Sequence, residues 1–157
     1  MQNDTSKDQA GVIAPPPLIY AGSLIAGLVL QESLPVPFLP RFMRAWLGGV
    51  FMGAGLMFGL SAFRVMRNAH TPIDPREPVT DIVTSGPFLV TRNPIYVGMT
   101  LLYAGISVLA NAFWPFLLLP ITLRIMNRGV IQREEQYLER KFGEQYLSYK
   151  QRVRRWL

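Results

Sequence analysis

Residues 93–123, NPIYVGMTLLYAGISVLANAFWPFLLLPITL, contain no charged side chain. As one helix, about 30 residues would rise roughly 45 Å, which is too long for a single membrane crossing and short for two. A single crossing would also place the arginines before this stretch and the basic residues after it on opposite sides of the bilayer, against the positive-inside bias. We therefore predict a helical hairpin within residues 95–131 that turns near Asn111 and Ala112.

The composition also indicates a membrane protein. The chain has 157 residues, enough for one domain, and half of them are hydrophobic while only 17% are charged. Residues 45–63 lack charge and would rise about 28 Å as a helix, close to one hydrocarbon thickness. A weaker apolar segment covers residues 17–30. We predict an all-α integral membrane protein with about four transmembrane helices.

The predicted organisation is a single membrane domain, residues 1–157, with both termini in the cytoplasm. The N-terminal tail lacks a basic region that leads directly into an apolar core, so we interpret it as a polar tail and not as a signal peptide. In chain order, the predicted parts are a polar tail (1–16), two spans (17–63), a cytoplasmic loop (64–94), the hairpin (95–131) and cytoplasmic amphipathic helices (132–157).

The rarer residue types exclude several kinds of chemistry. The chain has no cysteine and one histidine, which argues against disulfides, thiolate nucleophiles and metal centres. We interpret His70 as an ordinary loop residue. Residues 124–157 carry nine lysines and arginines against four acids, and the whole chain has a net charge of +6. Nucleic acid is one partner for such a segment, but beside strong apolar spans we favour the anionic surface of a membrane.

Glycines recur in the second predicted span, as the pairs Gly49 and Gly53, and Gly55 and Gly59. Small residues four positions apart lie on a common helical face and allow a neighbouring helix to approach closely. A glycine-rich dinucleotide motif is the alternative, but that motif needs a preceding strand and the start of a helix. We therefore predict that these glycines pack against another helix.

One candidate half-site precedes the hairpin. Gly86-Pro87 predicts a turn, and Pro94 suits the first turn of the third helix, where its missing N–H needs no partner. Arg92 and Asn93 then lie at a helix N-terminus, a position that favours an anion, and Tyr96 follows within one turn. An interfacial anchor, with the arginine reaching the headgroups, explains the same residues.

A second candidate half-site follows the hairpin. Apolar residues recur at i, i+7 and i+11 from Ile131, and Gly143 stands where a helix C-cap is expected. Glu135 shares this apolar face, with Glu134 on its flank, so a carboxylate here needs a partner. Ion pairs with arginines and lysines close along the helix are the alternative explanation. Beyond the cap, an apolar stripe that runs on to Trp156 predicts a further helix on the membrane surface.

Two segments in this order carry a resemblance. GPFLVTRNPIYVG (residues 86–98), the hydrophobic hairpin and then EEQYLERKFGEQYLSY (residues 134–149) resemble the integral-membrane methyltransferases typified by isoprenylcysteine carboxyl methyltransferase and its bacterial relatives. This group is also similar to the phospholipid N-methyltransferases. The resemblance covers about residues 65–152.

The resemblance implies an S-adenosylmethionine-dependent methyltransferase in a bacterial inner membrane, with its active site at the cytoplasmic face under the 64–94 loop. It implies a lipophilic or small acceptor that bears a carboxylate, thiol or amine and reaches the site from the bilayer. The implied cofactor-binding residues are Arg92, Asn93, Pro94, Tyr96, Glu134 and Glu135. We assign Arg92 and Glu135 to catalysis as well. Prenylcysteine enzymes of this group usually carry histidine where this chain has Asn93, which argues against a prenylcysteine acceptor.

Two other functions fit parts of the sequence. A membrane reductase of the sterol-reductase type has a similar C-terminal helical architecture and would bind NADPH, although no motif here is specific for a nicotinamide. A small membrane adaptor would use the basic C-terminal segment to bind anionic lipid or a partner protein. We expect no nucleic-acid partner and no metal in any of these cases.

Overall fold

The computed structural model describes residues 8–157, so the first seven residues of the predicted polar tail lie outside it. Every regular element in the described chain is helical, which confirms the all-α class. A 3₁₀ turn covers Gly86–Leu89, and a π-helical turn, Asn127–Ile131, joins the fourth and fifth helices. The six α-helices are α1 (Pro16–Ser33), α2 (Arg41–Asn68), α3 (Pro94–Leu109), α4 (Phe113–Met126), α5 (Gln132–Phe142) and α6 (Glu144–Arg152).

The uncharged stretch folds as the predicted hairpin. α3 ends at Leu109 and α4 begins at Phe113, so the chain reverses over residues 110–112. Asn111, at the centre of the turn, has φ of +51°, a left-handed conformation that asparagine adopts more readily than most residues. The position of the turn is therefore confirmed.

The other two long helices flank the hairpin, with α2 along α3 and α1 along α4. On the α1 side, the Ser23 hydroxyl lies 2.6 Å from the hydroxyl of Thr122 on α4 and 3.1 Å from that of Tyr103 on α3. A Cβ atom at Gly27 would lie 2.6 Å from the backbone of Pro115, so only glycine permits this approach of α1 to α4. Polar pairs and a small residue thus join α1 to the hairpin.

Glycines bring α2 and α3 into backbone contact. A Cβ at Gly55 would lie 2.9 Å from the carbonyl oxygen of Gly98, and a Cβ at Gly98 would lie 3.0 Å from the backbone nitrogen of Gly59. Close packing is therefore confirmed at Gly55. At Gly59 the backbone contacts Gly98, although nothing lies within 4 Å of a Cβ at Gly59 itself. The prediction is wrong for Gly49 and Gly53, because nothing lies within 4 Å of a Cβ at either position. The 3.6-residue period of the helix turns these two away from α3.

The outer surface of the bundle is apolar. Trp46 and Met57 on α2 and Leu18 on α1 each expose more than 60% of their surface, as expected for side chains that face lipid. Within residues 8–157, α2 is the one helix that is both long and apolar enough to cross a membrane, and α3 is a shorter apolar helix.

The C-terminal residues depart from the predicted amphipathic helix. α6 ends at Arg152, and Val153 is extended, with φ of −120° and ψ of 132°. The prediction of a helix that continues to Trp156 is therefore wrong. Residues 153–157, which we call the C-terminal strap, turn back to the start of α3, where the carbonyl of Arg154 accepts a hydrogen bond from the backbone of Arg92. Trp156 packs against the buried core instead of lying on a surface helix.

Candidate functional site

A pocket lies at the end of the bundle where α3 begins. Its walls come from α3, α5 and α6 and from the loop between α2 and α3, and its space is about 900 Å³ including the part open to solvent. The six residues predicted to bind a cofactor all contribute to its lining: Arg92, Asn93, Pro94, Tyr96, Glu134 and Glu135.

Local hydrogen bonds set the start of α3. Pro94 is the first residue of the helix, as predicted, and the backbone N–H of Asn93 donates to the hydroxyl of Thr91 over 3.2 Å. The Asn93 side chain does not cap the helix. Its amide donates instead to the carbonyl oxygen of Arg155 over 2.9 Å, so the chain end and the start of α3 are fixed to each other.

Arg92 is held in place but retains binding capacity. Its backbone N–H donates to Arg154, and its Nη2 lies 3.1 Å from Oε1 of Glu135. The side chain is only 9% exposed, yet its Nε and Nη1 have no hydrogen-bond partner among residues 8–157. A buried donor without a partner costs about 1–3 kcal/mol, and more when it is charged. These two N–H groups are themselves buried near the Tyr146 hydroxyl, and they lack a fixed partner in the pocket wall.

Glu135 is buried and doubly paired. Arg155 donates to both of its carboxylate oxygens, over 2.9 Å from Nε and 2.7 Å from Nη2, and Nη2 of Arg92 lies 3.1 Å from Oε1. The Nη1 of Arg155 donates to Oδ1 of Asn127 in the π turn over 3.0 Å. The predicted need of Glu135 for a partner is met by arginines distant in sequence, not by neighbours along α5.

Arg155 is the site residue that sequence reasoning missed. The sequence predicts a surface helix that runs on to Trp156, whereas the strap carries Arg155 to Glu135. The two residues are 20 positions apart with a helix end between them, so no local periodicity links them. The available signal was the carboxylate on the apolar face of α5, which required a cation from elsewhere in the chain.

Glu134 has a different environment from its neighbour. The hydroxyl of Tyr96 donates to its Oε1 over 2.5 Å, and among the described residues it forms no ion pair. Burial raises the pKa of Glu134 to about 7, and the negative charge of Glu135 acts in the same direction. Near neutral pH this carboxyl group can therefore take up a proton or pair with a cation from the pocket.

Hydrogen bonds join the loop and the N-terminal segment over α5. The Tyr137 hydroxyl, in the pocket wall, donates to Asp8 over 2.8 Å and accepts from the backbone N–H of Val79 over 3.2 Å. Lys141 completes the cluster with bonds of 2.7 and 2.9 Å to Asp8. His70, by contrast, is exposed and lies outside the pocket lining.

The family model described as "Phospholipid methyltransferase" matches residues 43–145, more than half of the chain. The chain belongs to the phospholipid methyltransferase family. The matched range contains most of α2, the whole hairpin and α5, so it includes both half-sites of the pocket. The C-terminal strap lies beyond the matched range.

An uncharacterized protein of Haemophilus influenzae is 57% identical over 37 residues, which is 24% of this chain and 59% of that protein. The chain thus spans less than two thirds of the length of this curated relative. No solved structure matches.

Proposed function

We propose that this protein is an S-adenosylmethionine-dependent methyltransferase that transfers a methyl group to a lipophilic or small acceptor. One observation carries the proposal: the same pocket holds an arginine with two unpaired buried donors and a glutamate without a cationic partner among the described residues. Such a pair complements a zwitterion, and the amino-acid end of S-adenosylmethionine is one. Family membership supplies the reaction class.

The two glutamates have different roles in this proposal. Arg92 binds the cofactor carboxylate through Nε and Nη1, and Glu134, positioned by the hydroxyl of Tyr96, receives the ammonium group. Glu135 already forms ion pairs with two guanidinium groups. The sequence assigns Glu135 to catalysis, but these ion pairs favour a different role. We propose that Glu135 is a fixed counter-ion that holds Arg92 at the pocket wall.

The bound cofactor supplies an electrophilic methyl group on a sulfonium centre. The protein's part is to align the acceptor with that methyl group and to exclude water, since the transfer is a displacement in which charge is dispersed. A carboxylate or thiolate acceptor needs no general base, whereas an amine acceptor must lose a proton.

A groove on the apolar part of the bundle supports a lipophilic acceptor. It lies between α1 and α3, and its walls are mainly apolar. Tyr20, in this groove, places its hydroxyl 2.8 Å from that of Thr100 and 3.4 Å from the carbonyl oxygen of Tyr96. The side chain of Tyr96 lines the polar pocket, while its backbone carbonyl contacts Tyr20 of the groove. Tyr96 therefore lies between the groove and the site. We propose that an acceptor chain lies here.

Charge distribution supports a cytoplasmic site. Arg64 and Arg67 at the end of α2 and Arg128 in the π turn lie at the same end of the bundle as the pocket, as does the basic segment 124–157, which supplies pocket residues. The opposite end has an uncharged turn at Asn111, with Arg41 and Arg44 at the start of α2 beside it. We propose four spans in a bacterial inner membrane with both termini inside. A topology reporter fused after Leu157 and another inserted at Asn111 should report opposite sides, and matching sides would contradict this arrangement.

Calorimetry on the detergent-purified protein tests the function. S-adenosylmethionine and S-adenosylhomocysteine should bind, and NADPH should not. Binding of NADPH alone would indicate a reductase, and binding of none of the three would indicate an adaptor. The acceptor can then be identified by mass spectrometry of lipids and small molecules that gain a deuterated methyl group in membranes containing the protein.

A further inference from the structure

The C-terminal strap connects separate parts of the pocket. Its backbone carbonyls accept hydrogen bonds from the backbone of Arg92, over 2.9 Å, from the hydroxyl of Thr91, over 3.0 Å, and from the amide of Asn93, over 2.9 Å. All three donors belong to the segment that begins α3. The strap therefore fixes the half-site that carries the unpaired arginine.

The Arg155 side chain extends the connection to the second half-site. Its guanidinium group holds both oxygens of Glu135 on α5 and the side-chain oxygen of Asn127 in the π turn. Arg155 itself does not contribute to the pocket lining. It therefore acts on the site through other residues and not by contact with a ligand.

The geometry distinguishes the two arginines that share Glu135. A carboxylate binds guanidinium best in a fork, with two parallel N–H···O bonds. Arg155 occupies this fork, at 2.9 and 2.7 Å, while Arg92 contributes only Nη2, at 3.1 Å. Without Arg155, Glu135 would be free to take the fork of Arg92, and those N–H groups would no longer be available to a ligand.

We propose that Arg155 is a positioning residue: by occupying Glu135 it keeps Nε and Nη1 of Arg92 free to bind the carboxylate of the cofactor. This inference rests on the proposed function. It assigns a specific role to a strap residue that lies outside the family match. It also explains why a buried glutamate is paired with two arginines when one would balance its charge.

The first test is a double-mutant cycle read by the Kd of S-adenosylhomocysteine. Arg155→Gln should weaken binding at least tenfold in the wild-type background. Arg155→Lys keeps the charge but loses the fork, so its Kd should lie between those of the wild-type protein and Arg155→Gln. In a Glu135→Gln background, where no carboxylate competes for Arg92, Arg155→Gln should change the Kd less than threefold. Arg152→Gln, an exposed change of equal charge on α6, is the matched control and should leave the Kd unchanged.

The second test needs no ligand. In protein with ¹⁵N-labelled arginine, the Nε–H resonance of Arg92 should move downfield in Arg155→Gln, as this group turns onto Glu135, and should stay in place in Arg152→Gln. An unmoved resonance, or an equal loss of affinity in both backgrounds of the cycle, would overturn the positioning role. If wild-type protein binds no S-adenosylhomocysteine, the proposed function fails, while this resonance still reports the effect of Arg155 on Arg92.

Discussion

The two ends of the hairpin differ in how fully their polar groups are paired. At the turn, Oδ1 of Asn111 accepts the backbone N–H groups of Phe38 and Leu39, over 3.1 and 3.0 Å. The side chain of Gln31 accepts a hydrogen bond from the backbone N–H of Phe113 over 3.1 Å. The Trp114 indole donates to the carbonyl of Leu34, which lies in the connection between α1 and α2. These polar groups find partners within the protein, which stabilises the turn, although Nε of Arg44 in the first turns of α2 has no partner among the described residues.

At the pocket end, buried polar groups are left without full pairing. Arg92 keeps two unpaired donors among the described residues, and Glu134 receives one hydroxyl group and no cation from them. Unpaired buried groups lower stability unless something else satisfies them. We therefore infer that the turn serves folding and the pocket serves binding. Mutations at the turn should change stability, and mutations in the pocket should change affinity.

The largest expected effect is on binding, in Arg92→Ala. Loss of two charge-assisted hydrogen bonds, each contributing about 1.5–3 kcal/mol, should raise the Kd of S-adenosylhomocysteine about 100-fold or more. Calorimetry measures the Kd, and Arg140→Ala, an exposed change on α5, is the control. Glu134→Ala with Glu135→Ala should also abolish binding without loss of membrane insertion. Normal affinity in these variants would show that these residues do not bind the cofactor.

The next effect is a pH dependence of stability at the pocket end. Because the pKa of Glu134 is raised from 4.5 to about 7, the folded protein retains a proton that the unfolded chain releases. The free energy of unfolding should therefore fall as pH rises from about 4.5 to 7, by on the order of 3 kcal/mol. Denaturation of the ligand-free protein across this range measures it. Glu134→Gln should remove this component, and an identical pH profile in that variant would refute the assignment.

Between the two ends, Gly98→Ala should weaken the contact between α2 and α3. The added Cβ would lie 2.9 Å from the carbonyl oxygen of Gly55, so the backbones must separate, at a cost of about 1–3 kcal/mol. Thermal unfolding in detergent measures the loss. Gly53→Ala on the open face of α2 is the control and should be neutral or slightly stabilising. Equal effects of the two changes would contradict the packing described for α2.

The smallest expected effect is at the turn. Asn111→Ala removes two hydrogen bonds and places alanine at positive φ, which should lower the free energy of unfolding by about 1–2 kcal/mol. Asn111→Gly also removes the hydrogen bonds, but glycine adopts a positive φ without strain, so the difference between the two variants measures the strain. The Kd of S-adenosylhomocysteine should stay within twofold in both variants. A large change in affinity would show that the two ends are not independent.

The elements that the sequence predicts are those with local signals. The hairpin turn follows from the length of the uncharged stretch, the start of α3 from Pro94, and the end of α5 from Gly143, which has φ of +51°. Periodicity placed Glu135 on a buried face, where the structure has it at 6% exposure. The six predicted site residues line one pocket, as the resemblance implies, because the hairpin returns the chain from α3 to α5.

The features that the sequence does not predict depend on contacts between distant segments. The strap leaves the helical pattern at Val153 because its carbonyls find donors at residues 91–93, about 60 positions earlier. The different environments of Glu134 and Glu135 arise from Arg155, which reaches only one of them. Which glycines of α2 face α3 likewise depends on the rotation of one helix against the other.

The central claim is that Arg92 and Glu134 together bind the amino-acid end of the cofactor. Calorimetry on wild-type protein and Arg92→Ala, each with S-adenosylhomocysteine and with 5′-methylthioadenosine, which lacks that end, tests it most directly. Wild-type protein should bind S-adenosylhomocysteine at least about 100-fold more tightly than 5′-methylthioadenosine, and Arg92→Ala should bind the two with similar weak affinity. Equal affinity of the wild-type protein for both compounds would contradict the account.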